Sequence, residues 1–152
     1  MSHLAKLKAA TSRKELALIL GYKPKSMTAI VYKMPAAVKY TTFDIDKKSG
    51  GKRTIKAPAP KLKNLQSHLS HVLYQCLAEI DRARDAKPIS FGFRQDRSIT
   101  ENASRHKRRR WVLNLDLEDF FPSFNFGRVR GFFLKDKAFD LHPEVATTIA
   151  QI

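Results

Sequence analysis

Cysteine is nearly absent from this chain. Its one thiol, Cys76, cannot close an internal disulfide, and it falls on an apolar helical stripe where it reads as ordinary core. Long apolar runs are missing too. No stretch approaches the roughly 18 residues a membrane-spanning helix needs, and none near Met1 has the form of a signal segment, so the chain reads as soluble and cytoplasmic. Acidic residues are scarce: 14 Asp and Glu stand against 29 Lys and Arg, a formal charge of +15. Such an excess favours a polyanionic partner, because every phosphate neutralised releases counterions, and it makes binding steeply salt-dependent. Nucleic acid is the first candidate and an anionic membrane surface the second, with the missing apolar run counting against the membrane. At 152 residues and 43% hydrophobic content the chain can bury one core, as a single domain or part of a larger one.

Local signals divide it. Ser12-Arg13-Lys14-Glu15 has capping-box form and predicts a helix through Leu16 and Leu20 that stops at Gly21. Ser26 is expected to cap a second helix carrying Ile30 and Val31, closed by Pro35. From Tyr40 to Pro58 the pattern becomes a hairpin whose tip, Lys47 to Lys52, is rich in lysine and glycine: a solvated turn, or a clamp for phosphates. Leu62, Leu65, Leu69, Val72, Cys76 and Ile80 recur at helical steps and predict a long scaffold helix that fades at Asp85 to Lys87 and stops at Pro88. His68 and His71 on this helix have no nearby partner of metal-ligand type, so they read as structural. Ser98 and Glu101 form another capping box. Arg105, Lys107, Arg108, Arg109 and Arg110 are too dense to bury and face either solvent or a nucleic-acid backbone. Asn125 and Pro143-Glu144 open two further helices.

The centre of the sequence is Trp111 to Phe124. Alternation over 111–117 predicts a strand, with Trp111, Leu113, Leu115 and Leu117 on one face and Val112, Asn114, Asp116 and Glu118 on the other. An acid there can hold a metal at the lip of a sheet or simply cap the next turn. Asp119 falls near an expected helix start, where capping also accounts for it.

Leu115-Asp116-Leu117-Glu118-Asp119-Phe120-Phe121 resembles the first catalytic motif of bacterial retron and group II intron reverse transcriptases. Two upstream blocks agree with it. The basic hairpin with Arg53-Thr54-Ile55 and Pro58 resembles the family's fingers hairpin, and Gly92-Phe93, Arg97-Ser98-Ile99, Asn102-Ala103 and His106 resemble its second block. The resemblance implies an α+β right-hand polymerase: an N-terminal helical segment over 1–38, fingers over 39–110 and the start of the palm over 111–152. By that resemblance Asp116 is the catalytic ligand of magnesium (Mg2+), joined by the Leu117 backbone carbonyl. Arg53, and less strongly Lys47 or Lys48, would meet the nucleotide triphosphate. Asp119 and Phe120 would border the nucleotide, Phe120 excluding a 2′ hydroxyl, and Arg94, Arg97 and the run from Arg105 to Arg110 would contact nucleic acid.

The activity implied is RNA-directed DNA synthesis: copying a structured noncoding RNA from deoxynucleoside triphosphates into an msDNA-like product, with an RNA/DNA hybrid as intermediate, in anti-phage defence and beside a possible effector protein. The family's Tyr-x-Asp-Asp and Pro-Gln-Gly motifs do not occur, and helical signal still runs at Ile152. The chain therefore reads as truncated and inactive by itself. Two other assignments stay open: a non-catalytic RNA-binding module, and an intron-maturase relative.

Overall fold

The computed structural model describes residues 1–48, 50–84, 90–92, 94 and 97–152. α1 (His3–Ala9) begins where the Ser2 hydroxyl accepts from the Ala5 amide at 3.2 Å. α2 (Arg13–Ile19) carries the capping box expected at Ser12, and the Glu15 carboxylate accepts from the Thr11 and Ser12 amides at 2.7 and 3.1 Å. Those bonds, the Thr11 amide foremost, hold the Glu15 carboxyl below its ordinary range. Gly21 follows at φ +75°, a left-handed stop that side chains rarely adopt.

α3 (Pro24–Thr28) corrects the expectation for Ser26. Pro24 occupies the first turn, where a missing amide hydrogen costs nothing, and Ser26 lies inside the helix rather than capping it. The helix widens into a π turn, Ala29–Lys33, that buries Ile30 and Val31 ahead of Pro35. One turn of helix, α4 (Ala36–Lys39), then feeds the expected hairpin. β1 (Tyr40–Asp46) pairs antiparallel with β2 (Lys52–Pro58), Tyr40 opposite Pro58 and Asp46 opposite Lys52.

α5 (Pro60–Arg84) is the long scaffold helix, burying Leu62, Leu65, Leu69, Val72, Cys76 and Ile80 along one stripe. Burial pushes the Cys76 thiol up to about 11, with neighbouring Glu79 adding to the rise. The expected fade at Asp85 to Lys87 and stop at Pro88 lie outside the described residues, as does Phe93 of the second block. α6 (Ile99–Arg105) starts at Ser98, whose hydroxyl accepts from the Glu101 amide at 3.0 Å. α7 (Phe126–Lys135) is capped by Asn125, and α8 (Pro143–Gln151) by His142 with Pro143 in its first turn.

α1 packs on α5 and α2, α2 on α3 and α8, and α7 on α8. The buried side chains form one cluster that takes Leu7, Leu16 and Met27 from the first helices, Leu65 and Cys76 from α5, and Phe133, Val145 and Ile149 from the last two. Two acids from the later helices cap the earlier ones. Glu79 of α5 accepts from the His3 and Leu4 amides at 2.9 and 3.2 Å, and Glu144 of α8 accepts from the Arg13 amide at 3.1 Å. Near the second cap the Thr148 hydroxyl donates to the Glu144 carbonyl at 2.8 Å, so its oxygen is left to accept from Tyr32 at 3.4 Å. Residues 1–38 and 111–152 therefore share one core. The fold is α+β: a helical body with a two-stranded ribbon, the one sheet among the described residues.

The strand expected at 111–117 does not form. Residues 111–117 carry no regular secondary structure, and none of their backbone groups appears in a hydrogen bond among the described residues. Trp111, Val112, Leu113, Leu115 and Leu117 are all exposed. Alternation sets which way side chains point, but a strand also needs a neighbour's edge to bond to. β1 and β2 are paired with each other, and no further strand of the described residues lies beside this stretch.

Candidate nucleotide and nucleic-acid interface

Three groups of predicted residues can be placed. The first is the hairpin tip. Gly50 and Gly51, at φ +86° and +82°, turn the chain, and the Lys47 amide donates to the Gly51 carbonyl at 2.9 Å. The register sets Arg53 opposite Ile45, on the same face as Phe43 and Ile55. Lys47, Lys48 and Arg53 line a recess at this tip together with Ile45 and Asp46. Among the described residues no carboxylate lies within ion-pair distance of the three cations, so their charge is available to an anion.

The second group is Asp116 to Phe120. Asp116 is exposed, and its carboxylate makes no hydrogen bond or ion pair among the described residues; the Leu117 carbonyl likewise accepts none. Asp119 corrects the expectation of a helix start. It sits in a tight turn at φ +49°, its carbonyl accepting from the Ser123 amide at 3.0 Å, and α7 begins only at Phe126. Phe120 is packed edge-on against Phe121 and Phe124, with centroids 5.4 and 4.9 Å away, yet it stays 43% exposed. Asp116, Glu118 and Asp119 place three carboxylates within four positions without converging: among the described residues no three His, Cys, Asp or Glu side chains form a metal-holding group. These residues alone do not make a magnesium site, and the Asp116 carboxylate is unengaged among the described residues. No hydrogen bond or ion pair among the described residues ties Asp116 or Asp119 to the hairpin.

The third group is the basic segment around α6. Here the structure divides what the sequence had listed as one set of contacts. Arg94 is paired with Asp81 of α5 at 2.9 Å and is largely covered, and Arg97 is paired with Glu101 one turn along α6. Arg105, Lys107, Arg108, Arg109 and Arg110 are exposed without a carboxylate partner among the described residues. α6 ends at His106, and Arg108 at φ +62° turns the chain into the extended segment. Two of these cations lie over aromatic rings, Arg105 above Phe91 at 5.6 Å and Arg110 above Trp111 at 5.8 Å.

Sequence reasoning assigned Trp111 to an apolar sheet face. Its position directly after three arginines was the available signal that it also borders the cations. A mainly apolar groove between α5 and α7 is lined by Leu69, Leu73, Leu77, Phe132, Phe139 and Ile152, with Gln66, Ser70 and Tyr74 as its polar side chains and no cation among them. His68 is structural, as expected: its Nδ1 lies 3.0 Å from the Leu20 carbonyl, and its ring packs edge-on against Tyr22. No helix among the described residues is long and apolar enough to cross a membrane.

Comparison with known proteins first defines a class: the chain is similar to reverse transcriptases. Within it, the relatives are retron enzymes. The chain is 45% identical over 92 residues to the retron Mx65 reverse transcriptase of Myxococcus xanthus, a match covering 60% of this chain and 20% of that protein. It is 38% identical over 100 residues to the retron Ec86 reverse transcriptase of Escherichia coli, covering 64% of this chain and 29% of the relative. It is 32% identical over 126 residues to the retron Mx162 reverse transcriptase of Myxococcus xanthus, covering 82% and 24%. The chain is thus related to retron-type reverse transcriptases and spans less than a third of the length of each of these three. No family model and no solved structure matches it.

Proposed function

We propose that this chain forms the fingers and the first part of the palm of a right-hand RNA-directed DNA polymerase of the retron type, one that copies a structured RNA into DNA. The observation that carries this is the free, exposed carboxylate of Asp116, inside Leu115-Asp116-Leu117-Glu118-Asp119-Phe120-Phe121, in a chain related to retron reverse transcriptases. The roles follow from placement. Lys47, Lys48 and Arg53 at the hairpin tip hold the triphosphate of the incoming deoxynucleotide, their charges unspent on internal pairs. Asp116 and the Leu117 carbonyl each give one oxygen ligand to magnesium, alongside other carboxylates of the polymerase. Magnesium, when bound, steadies the attacking and leaving oxygens of phosphoryl transfer. Phe120, exposed beside Phe121 and Phe124, sets the floor under the sugar. Arg105 to Arg110 meets the backbone of the RNA template or of the RNA/DNA hybrid. A role in anti-phage defence beside an effector protein, in the cytoplasm, belongs to the same proposal.

The deciding experiment is primer extension on an RNA template by a polymerase that carries this chain, with and without Asp116→Ala. Extension should fall by at least about a hundredfold, the scale of losing a group that acts in the transition state, while template binding stays within about twofold, a change well under 1 kcal/mol. Extension that survives the substitution would remove Asp116 from the metal site. A non-catalytic RNA-binding module has no use for Asp116 and predicts no effect of Asp116→Ala.

A further inference from the structure

Asp81 stands in the last turn of α5, where the negative pole of the helix repels a carboxylate, in a chain with only 14 acids for 29 cations. An acid at that place calls for a partner. Arg94 supplies it: its Nη2 donates to Asp81 Oδ2 at 2.9 Å, across 13 positions of sequence, and the two side chains are 20% and 34% exposed. A charge-assisted bond that is partly covered is screened less than one on an open surface. Arg94 lies three positions after Phe91, and the Phe91 ring carries the Arg105 guanidinium, whose carbon is 5.6 Å from the centroid. The contacts therefore run in series, from α5 through Arg94 and Phe91 to the last residue of α6, where the basic run begins.

We propose that Asp81 and Arg94 are positioning residues: their pair fastens the segment before α6 to the scaffold helix and so holds Arg105 to Arg110 in place for a phosphate backbone, with Arg94 itself touching no phosphate. This rests on the nucleic-acid role of the basic segment given above. An arginine meant for phosphate is poorly served by a carboxylate at 2.9 Å, which neutralises it and repels the incoming anion. The basic run gains from the same carboxylate. Long cationic side chains lose freedom when they bind, and a segment already fixed to a helix has less of it to lose. Glu79, two positions before Asp81, makes a tie of the same kind to the His3 and Leu4 amides of α1, so this end of α5 is where acids fasten neighbouring segments.

The sign of one substitution separates positioning from direct contact. Asp81→Asn removes a negative charge, so long-range electrostatics alone, or an Arg94 released to meet phosphate, makes the chain bind RNA more tightly. Loss of the tie makes it bind less tightly. Anisotropy of a fluorescein-labelled single-stranded RNA, titrated with the 152-residue chain at fixed salt, should show binding weakened about fivefold by Asp81→Asn and about as much by Arg94→Gln. The charge swap Asp81→Arg/Arg94→Asp, which keeps the net charge, should recover most of the loss. Hydrogen exchange followed by mass spectrometry checks the tie without RNA: amides of 97–106 should exchange faster in both single variants and at the parent's rate in the swap, with α1, α2 and α8 unchanged. Equal or tighter binding by Asp81→Asn, a swap as weak as the single variants, or exchange over 97–106 that does not move each overturns the positioning role and leaves the nucleic-acid role of Arg105 to Arg110 standing. Faster exchange that spreads to α1, α2 and α8 overturns it too, because the pair then supports the core as a whole. If the parent itself binds no RNA, the nucleic-acid role falls, and the positioning role with it.

Discussion

At the scale of single residues, the positions of consequence are those whose charge or ring is left unengaged. Arg94 and Arg97 read in the sequence like Arg108 and Arg109, yet the first two are bound to Asp81 and Glu101 and the second two face solvent. For Arg94 the sequence holds no sign of this, because its acceptor is 13 positions away on another element. For Arg97 the four-residue spacing to Glu101 was a usable hint. Phe120 carries the sharpest chemical expectation. It is held edge-on by Phe121 and Phe124 but open on its remaining side, the arrangement a sugar floor requires. Phe120→Ala in a polymerase carrying this chain should relax discrimination against ribonucleotides by about tenfold or more, roughly 1.4 kcal/mol at the transition state. Competitive primer extension with paired ribo- and deoxynucleotides measures it, and an unchanged ratio would take Phe120 out of sugar selection.

At the scale of elements, what could be read from the sequence was what short-range chemistry decides. The helices at Ser12, Ser98, Asn125 and Pro143 start where a capping side chain or proline stands, because each cap bonds an amide two or three positions on. The strand at 111–117 was not legible in the same way, since its hydrogen bonds would come from another part of a sheet. Nor were the caps that Glu79 and Glu144 place on helices more than 70 positions away. Two of the capping carboxylates, Glu15 and Glu79, also set a pH response. Glu15 is held below the ordinary value of 4.5 chiefly by the Thr11 amide, and Glu79 chiefly by the Ser2 hydroxyl, with the Leu4 and His3 amides assisting. A depressed folded-state value means the stabilisation is complete above the unfolded value and is lost as pH falls through the folded one. The variant Glu15→Gln/Glu79→Gln should therefore melt below the parent at neutral pH, with the gap closing as pH falls beneath the ordinary carboxylate value of 4.5 and the parent's own carboxyls protonate. Thermal melts followed by circular dichroism test this; a gap that persists in acid would assign the loss to packing instead.

At the scale of the whole molecule, the +15 charge is distributed unevenly in its effect. Of the few acids, Glu15, Glu79 and Glu144 are occupied with helix amides and Asp81 and Glu101 with arginines, and among the described residues the cations of the hairpin tip and of the segment after α6 have no ion-pair partner. If about five cations of these regions contact a single strand, affinity falls with salt at a log–log slope near −3.5, about a hundredfold between 50 and 200 mM. A filter-binding or anisotropy series across that range measures the slope, and a value near zero would exclude phosphate contact as the basis of binding.

The bare backbone of 111–117 has one more consequence. An exposed, mostly apolar segment with unbonded backbone invites pairing with its own kind, and here it is interrupted by Asn114 and Asp116 and fenced by Arg108, Arg109 and Arg110 on one side and Pro122 on the other, residues that act as gatekeepers against aggregation. Ionic strength weakens the electrostatic half of that fence while leaving the sticky segment uncovered, so the conditions that strip a polyanion from this chain are also those that drive its copies together.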